Sequence, residues 1–245
     1  MLRIQNLNKR FNNLSVIEGV NMVLPQKSFS VLIGPSGCGK TTLFDILTGI
    51  LPRDSGSIEW EGEQLPHLGT KAAYMQQKDL LLPWLSLLEN ALLPSMLAGK
   101  KGPAEHQRAH ELFSHFGLGG FESYLPQSVS GGMRQRCALI RTLMFEREIV
   151  LLDEPLSALD AITRRGLQTY LAMLKNQYGK TVLMISHDID EALALADDII
   201  VLTASPMRVQ DTIHICRPTL CDSMAPSMET LRCRVLNELE AGGIQ

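Results

Sequence analysis

Short runs of apolar residues alternate along the chain with longer segments in which apolar residues recur at helical spacing. The first run, residues 29–33, is partly β-branched and ends at Gly34, as a buried strand does. Three later runs have the same character, at residues 149–152, 181–185 and 199–202. Because helical segments separate these runs, the pattern predicts a mainly parallel sheet that is covered on both faces.

The segments between the runs predict individual helices. One helix is expected to begin at Lys40, and its apolar face is formed by Leu43, Phe44, Leu47 and Ile50. Another precedes the run at 181–185, with apolar positions at Leu167, Tyr170, Leu171, Leu174 and Tyr178. Residues 227–241 are expected to form a terminal helix.

Residues 83–143 have a helical pattern throughout. Breaks are expected at Pro94, at Gly102-Pro103, at residues 117–120 and at Pro126. The face of one helix is marked by Met133, Cys137, Ile140 and Met144. We interpret this stretch as a helical subdomain inserted into one domain of residues 1–245. It lies between core parts at 1–82 and 144–210, and a short extension, 211–245, follows.

Composition narrows the class of protein. The 245 residues are 45% hydrophobic and 20% charged with a net charge of -3, as in an ordinary globular protein, and no basic block suggests a nucleic-acid partner. Five scattered cysteines, without a C-x-x-C pair, favour a reduced, intracellular protein. Residues 1–6 lack the apolar core that a secretory signal would need, and no apolar stretch approaches the roughly 20 residues that span a bilayer. A membrane role would therefore need another chain.

A glycine-rich motif follows the first predicted strand. It reads Gly34-Pro35-Ser36-Gly37-Cys38-Gly39-Lys40-Thr41, with Thr42 next. Glycines let backbone N–H groups surround phosphate oxygens, Lys40 suits the β- and γ-phosphates, and the Thr41 hydroxyl suits Mg²⁺. The alternative is a glycine-rich turn that matches by accident, but the strand before it and the helix after it argue for ATP binding.

Two acids end the predicted strand at residues 149–152. Asp153 would lie at the carboxyl edge of the sheet, where it could hold Mg²⁺ through water, and Glu154 could orient or deprotonate an attacking water. Alternatively, both acids cap the turn at residues 155–157. The phosphate loop favours the catalytic interpretation.

The segment Ser130-Gly131-Gly132-Met133-Arg134-Gln135-Arg136 resembles the signature motif of ABC transporter ATPases. The order of the other landmarks also matches that family: the phosphate loop, Gln77, Ser130-Gly131-Gly132, Asp153-Glu154, residues 157–160 and His187. The resemblance covers nearly the whole chain. It implies an α/β fold with a phosphate-loop NTPase core, a mainly parallel sheet, the inserted helical subdomain and a small antiparallel β part near the N-terminus.

The resemblance also implies roles for single residues. Phe11 stands where an aromatic ring stacks on adenine, although a core phenylalanine is the alternative. Gln77, with Gln76 as its rival, corresponds to the glutamine that reaches Mg²⁺ and the attacking water. His187 corresponds to the histidine that contacts the γ-phosphate, and Asp160 belongs to a loop that crosses the interface between two subunits.

The family likeness assigns the Ser130-Gly131-Gly132 turn to the nucleotide of a second copy of the chain. Each ATP would then lie between one phosphate loop and the other chain's turn, with the start of a helix facing its γ-phosphate. Met133, Val129 and Ser186 depart from the usual glutamine, leucine and threonine, and none of these changes removes a catalytic group.

Residues 74–84 resemble the nitrate, sulfonate and taurine importer group, and more weakly importers of thiamine precursors. The resemblance implies an ATP hydrolase that drives a transmembrane permease from the cytoplasmic side of the membrane, with a solute-binding protein as an indirect partner. Trp84 either docks the permease or packs inside the helical subdomain. The alternative function is a soluble ABC-type ATPase that does not act in transport.

Overall fold

The computed structural model describes residues 1–157, 159, 161–215 and 227–242, except the side chain of residue 162. The strands are β1 (Leu2–Phe11), β2 (Leu14–Leu24), β3 (Phe29–Ile33), β4 (Ser55–Trp60), β5 (Glu63–Leu65), β6 (Ala72–Met75), β7 (Ile149–Asp153), β8 (Thr181–Ile185), β9 (Asp198–Leu202) and β10 (Val209–His214). The helices are α1 (Lys40–Thr48), α2 (Leu87–Leu97), α3 (Pro103–His115), α4 (Gly131–Leu143), α5 (Ala161–Asn176), α6 (Ile189–Leu195) and α7 (Met228–Ala241). A short 3₁₀ helix, Pro126–Ser128, precedes α4.

The main sheet has six strands in the order β10-β9-β3-β8-β7-β6, and only the β10 pairing is antiparallel. Every residue of β3, β7, β8 and β9 is buried, as the continuous apolar runs predict. A second, antiparallel sheet has the order β2-β1-β4-β5. The predicted α/β fold with a small antiparallel part near the N-terminus is therefore confirmed.

Alternate residues of the central strands enter two separate hydrophobic cores. Val31 and Val150 pack with residues of α2 to α7, whereas Leu32 and Leu151 pack with α1 and the antiparallel sheet. This division follows from the alternation of side chains along a strand. Because β3, β7 and β8 are parallel, their carboxyl ends lie at one edge of the main sheet, where α1 begins.

Two local expectations are wrong. Ile50 lies outside the apolar face of α1 and is 57% exposed, because Gly49 adopts a left-handed conformation (φ 84°) and ends the helix. Pro94 does not break the helical pattern but lies buried inside α2, a helix that packs against α4. Tertiary packing there outweighs the cost of the missing N–H. In the described part of the chain, no helix is both long and apolar enough to span a bilayer.

Candidate nucleotide site

The loop between β3 and α1 is shaped by close backbone packing. Gly37 and Gly39 have positive φ angles of 75° and 117°. A Cβ at Gly39 would lie 2.9 Å from Val16 Cγ1, and one at Gly34 would lie 2.9 Å from Leu202 Cβ. Gly34 is therefore required for close approach, Gly37 for its backbone conformation, and Gly39 for both. The loop ends where the backbone N–H groups of α1 begin, which favours an anion.

Lys40 is buried and its ammonium lies across this loop. Its Nζ donates to the carbonyl oxygens of Gly34 at 2.8 Å and of Pro35 at 2.7 Å. The neighbouring Cys38 is also buried, and burial raises the pKa of its thiol. The thiol is therefore a small apolar group at neutral pH, and Lys40 is the positive charge of the loop.

Asp153, the last residue of β7, faces the first turn of α1. The Thr41 hydroxyl donates to Asp153 Oδ2 at 3.0 Å, and the Tyr74 hydroxyl donates to the same oxygen at 3.3 Å. Burial raises the pKa of Asp153, the hydrogen bond from Thr41 opposes this shift, and the nearby Glu154 adds to it. A positive ion beside Asp153 would relieve this cost.

Glu154 follows at a strained position with a φ angle of 46°. Its Oε2 accepts a hydrogen bond from Gln77 Nε2 at 3.0 Å and lies 3.5 Å from His187 Nδ1. The following turn is closed by Ser157, whose N–H and hydroxyl donate to the carbonyl oxygen of Glu154. The carboxylate of Glu154 is therefore directed at Gln77 and His187 rather than at the turn.

A cleft of about 540 Å³ collects most of the candidate residues. Its lining contains Ser36, Gly37, Gly39, Lys40, Thr41, Thr42, Gln77, Asp153, Glu154 and His187. The structure thus brings together groups from the ends of β3, β6, β7 and β8. Gln77, and not its rival Gln76, is among the lining residues.

Other candidate residues lie elsewhere. Phe11 is 42% exposed at the end of β1, with Lys9 Nζ 5.4 Å from its ring, so it is not a core phenylalanine. Ser130 and Gly131 are exposed at the start of α4, outside the lining of the cleft. Gly131 lines a second groove of about 390 Å³, to which Gln77 also contributes. Asp160 lies outside the described residues.

The Ser130 turn is a helix cap with one crowded glycine. Ser130 Oγ accepts a hydrogen bond from the N–H of Met133 at 3.3 Å. A Cβ on Gly132 would lie 2.5 Å from Thr163 Cγ2, whereas one on Gly131 would make only ordinary contacts. The turn is therefore fixed from behind by α5 and open at Ser130 and Gly131.

Sequence reasoning missed Tyr74 as a partner of Asp153. The residue lies on β6, which is paired in parallel with β7, and its ring contacts Phe44 edge-on at 5.7 Å. Burial and the nearby Asp153 raise the pKa of its hydroxyl, so it remains a hydrogen-bond donor at neutral pH. The sequence feature that could have suggested Tyr74 as a site residue is its position three residues before Gln77.

Fold and cleft define a phosphate-loop nucleotide-binding protein. The family model described as ABC transporter matches residues 17–157. The chain is 38% identical to the aliphatic sulfonates import ATP-binding protein of Bacillus licheniformis over 92% of this chain and 88% of that protein. It is 37% identical to the taurine import ATP-binding protein of Escherichia coli (strain K12), over 88% and 84%.

Solved structures agree with this assignment. The chain is similar to the ATP-binding cassette MJ0796 in a dimeric, post-hydrolysis state bound to ADP and Pi, with a TM-score of 0.77 and 27% identity. That match covers 89% of this chain and 100% of the solved one. The chain belongs to the ABC transporter family. It is an ATP-binding subunit of this family and an ATPase, so the predicted resemblance is confirmed.

Proposed function

We propose that the chain is the ATP-hydrolysing subunit of an importer, and that two copies close on two Mg-ATP to drive a permease. The observation that carries the proposal is the convergence of Lys40, Thr41, Asp153 and Glu154 in one cleft. The printed names of the relatives support import of sulfonates or taurine. Nitrate and thiamine precursors stay in the proposed solute class through the sequence resemblance.

Phosphate binding is proposed for the loop of residues 34–39 together with Lys40, Thr41 and Thr42. Phe11 offers an exposed ring for adenine. Mg²⁺ fits the donor set, since it prefers oxygen ligands, and Thr41 Oγ1 and Asp153 Oδ2 lie 3.0 Å apart. Gln77, in the same cleft, completes the set. Bound Mg²⁺ would neutralise charge on the β- and γ-phosphates.

Glu154 is the proposed catalytic base. Its carboxylate accepts a proton from the attacking water while the water oxygen bonds to the γ-phosphorus and the bond from that phosphorus to the β–γ bridging oxygen breaks. The products are ADP and inorganic phosphate. Gln77 and His187, at 3.0 Å and 3.5 Å from Glu154 Oε2, orient this carboxylate. Lys40 stabilises the negative charge that develops on the leaving ADP.

The second nucleotide contact is proposed to come from the other copy's Ser130, Gly131 and Gly132, with Asp160 in the loop that crosses between the copies. The support is that Ser130 and Gly131 are exposed at the N-terminus of a helix of 13 residues, where an anion is favoured. The similar cassette MJ0796 is described as dimeric in its solved structures.

The permease is proposed to dock beside residues 78–86, at the border between the core and the helical subdomain of residues 83–143. Trp84 is 71% exposed, which removes the alternative that it packs inside this subdomain. The chain would then lie on the cytoplasmic side of the membrane, and a solute-binding protein would act through the permease. Trp84→Ala should weaken co-purification with the permease and spare nucleotide binding; unchanged co-purification would remove Trp84 from the interface.

The proposed pairing is tested by the ATPase rate per chain as a function of protein concentration, without any acceptor substrate. Turnover should rise cooperatively with concentration, because each complete site needs two copies. A rate per chain that is constant from nanomolar to micromolar concentration would contradict the paired mechanism. Phosphoryl transfer that requires an acceptor would point to a kinase instead.

A further inference from the structure

Two arginines of α4 fasten the segment that follows Gln77. Arg134 Nε donates to Asp79 Oδ2 at 3.0 Å. Two turns further along α4, Arg141 donates to the carbonyl oxygens of Asp79, at 2.6 Å, and Leu80, at 2.8 Å. The segment between β6 and α2 therefore lies along the same helix that begins at Ser130.

Arg134 holds a second contact at the other end of its guanidinium. Its Nη1 donates to the carbonyl oxygen of Val129 at 3.0 Å, and Val129 immediately precedes Ser130. Asp79 in turn lies two residues after Gln77, whose amide contacts Glu154. A continuous path thus runs from the carboxylate of Glu154 through Gln77, Asp79 and Arg134 to the peptide that enters the Ser130 turn.

The Asp79 end of this path is constrained. Asp79 Oδ1 accepts a hydrogen bond from the N–H of Leu81 at 3.2 Å, so both carboxylate oxygens are engaged. Leu80 adopts a left-handed conformation (φ 46°), which is costly for a residue with a side chain. The Asp79 and Arg134 side chains are 30% and 36% exposed, and ion pairs this accessible add little stability. The contact between Asp79 and Arg134 is therefore better explained as fixing the position of the segment after Gln77 than as stabilising the fold.

We infer that Asp79 and Arg134 are positioning residues that link the two nucleotide sites of the proposed dimer. Through them, the contact of Gln77 with the nucleotide of its own chain sets the position of the Ser130 turn on the nucleotide of the other chain. The inference rests on the proposed pairing. Coupling between two sites in proteins amounts to about 5-fold to about 150-fold in affinity, and an exposed pair belongs at the lower end.

Asp79→Asn tests the link because it keeps the side-chain length and an acceptor for Leu81 but loses the charge that faces Arg134. The variant is made in the Glu154→Gln background, where the dimer with ATP can be measured at equilibrium. The affinity of the separate chain for ATP should change less than about 2-fold. The concentration of chain needed for the ATP-dependent dimer should rise by about 5-fold to 20-fold. Asp79→Glu should restore most of the loss.

Asp211→Asn is the matched control, since it breaks another partly exposed ion pair, with Arg234 at 2.7 Å. It should leave dimerisation unchanged. Circular dichroism and thermal unfolding establish that each variant is folded. Unchanged dimerisation in folded Asp79→Asn would overturn the inference, and so would an equal loss in Asp211→Asn.

A double-mutant cycle separates transmission from simple support of α4. Gln77→Ala and Arg134→Gln each interrupt the path, so the loss in the double variant should be smaller than the two single losses combined. Additive losses in free energy of dimerisation would mean that Arg134 acts independently of Gln77. That outcome would reject the link.

Gly131→Asp distinguishes failure of the link from failure of the proposed pairing. It places a negative charge at the Ser130 turn itself, on the same background. If Gly131→Asp abolishes the dimer while Asp79→Asn does not, only the link is wrong. If neither variant affects the dimer, the Ser130 turn does not meet the second nucleotide and the proposed pairing also fails.

Discussion

The phosphate-loop cleft and the Ser130 turn are built in opposite ways. The cleft takes groups from four strand ends and the start of α1, and it points them at one volume. The Ser130 turn is a single helix start, packed from behind against Thr163 and exposed at Ser130 and Gly131. Both suit an anion, but the lining residues of the cleft do not include the turn. This difference is what the proposal requires if the turn contacts a nucleotide held by another chain.

The cleft and the Ser130 turn also differ in the charges that they carry. Asp153, whose pKa is raised by burial and by Glu154, lines the same cleft as the ammonium group of Lys40. The turn offers only a hydroxyl and backbone N–H groups. A site that must hold a cation and activate water needs carboxylates, whereas a surface that closes over a bound nucleotide needs donors.

The largest effect is expected for Glu154→Gln, which changes only the cleft. The amide cannot take the proton of the attacking water, so turnover should fall by ~10²-fold or more. ATP binding should be intact, and the ATP-bound dimer should accumulate. Steady-state phosphate release and size-exclusion chromatography with ATP measure the two effects. A normal rate of hydrolysis in this variant would remove Glu154 from the chemistry.

Gly131→Asp changes only the turn. An added Cβ makes only an ordinary contact, 3.7 Å from Arg134 Nη2, so the chain should fold, but the carboxylate would repel the partner's nucleotide. We expect ATP-dependent dimerisation to weaken by ~10-fold or more, since like charges that meet in an interface cost several kcal/mol. ATP binding to the single chain should be unchanged. Gly119→Asp, in an exposed loop with its nearest neighbour at 3.9 Å, is the control and should dimerise normally.

The cleft was easier to predict from the sequence than its supports. Gly34 to Thr41 and the two acids at the end of β7 are local patterns, in which neighbouring residues supply both the geometry and the chemistry. Tyr74 on Asp153, and Asp79 on Arg134, depend on the pairing of β6 with β7 and on the path of α4. The first contact joins residues that are 79 positions apart in the sequence, and the second joins residues that are 55 positions apart. No local pattern records them.

The two wrong local expectations have the same origin. Periodicity assigned Ile50 to the apolar face of α1, but the left-handed Gly49 ends the helix one residue earlier. The expected break at Pro94 ignored the packing of α2 on α4, which single-residue propensity does not contain. The mainly parallel sheet, by contrast, was predictable from four runs that are almost entirely apolar. Continuous burial leaves few alternatives for them.

Tyr74→Phe should have a moderate effect, and it should change only the Mg²⁺ dependence of the activity. The ring and its contact with Phe44 remain, and only the hydroxyl on Asp153 Oδ2 is lost. Without this donor, the hydrogen bond from the Thr41 hydroxyl is the one that remains on Asp153 Oδ2 among the described residues of the cleft. The Mg²⁺ concentration for half-maximal activity should therefore rise by about 3-fold to 10-fold, as expected for a net hydrogen-bond contribution of about 1 kcal/mol. Affinity for metal-free ATP should be unchanged. The exposed Tyr124→Phe is the control.

The smallest effect is a difference in the sign of pH dependence between two acids, Glu191 beside the cleft and Glu89 on α2. Glu191 supports His187 through the hydroxyl of Ser186, which donates to Glu191 Oε2 at 2.7 Å, and burial raises the pKa of this acid. Glu89 belongs to α2 in the helical region, and hydrogen bonding by Ser86 lowers the pKa of that acid. A raised pKa in the folded state gives stability that is lost as the pH rises through it. A lowered pKa gives stability that is lost as the pH falls through it.

Thermal unfolding of Glu191→Gln and Glu89→Gln from pH 7.5 to pH 4 measures this difference. As the pH falls, the wild-type protein should gain stability relative to Glu191→Gln, because protonation removes the cost of a buried charge. Near pH 4.5 and below, it should begin to lose its advantage over Glu89→Gln, because the unfolded chain takes up a proton there that the capping carboxylate of the folded protein resists. Parallel trends for the two variants would show that the cleft side carries no buried-charge cost near His187.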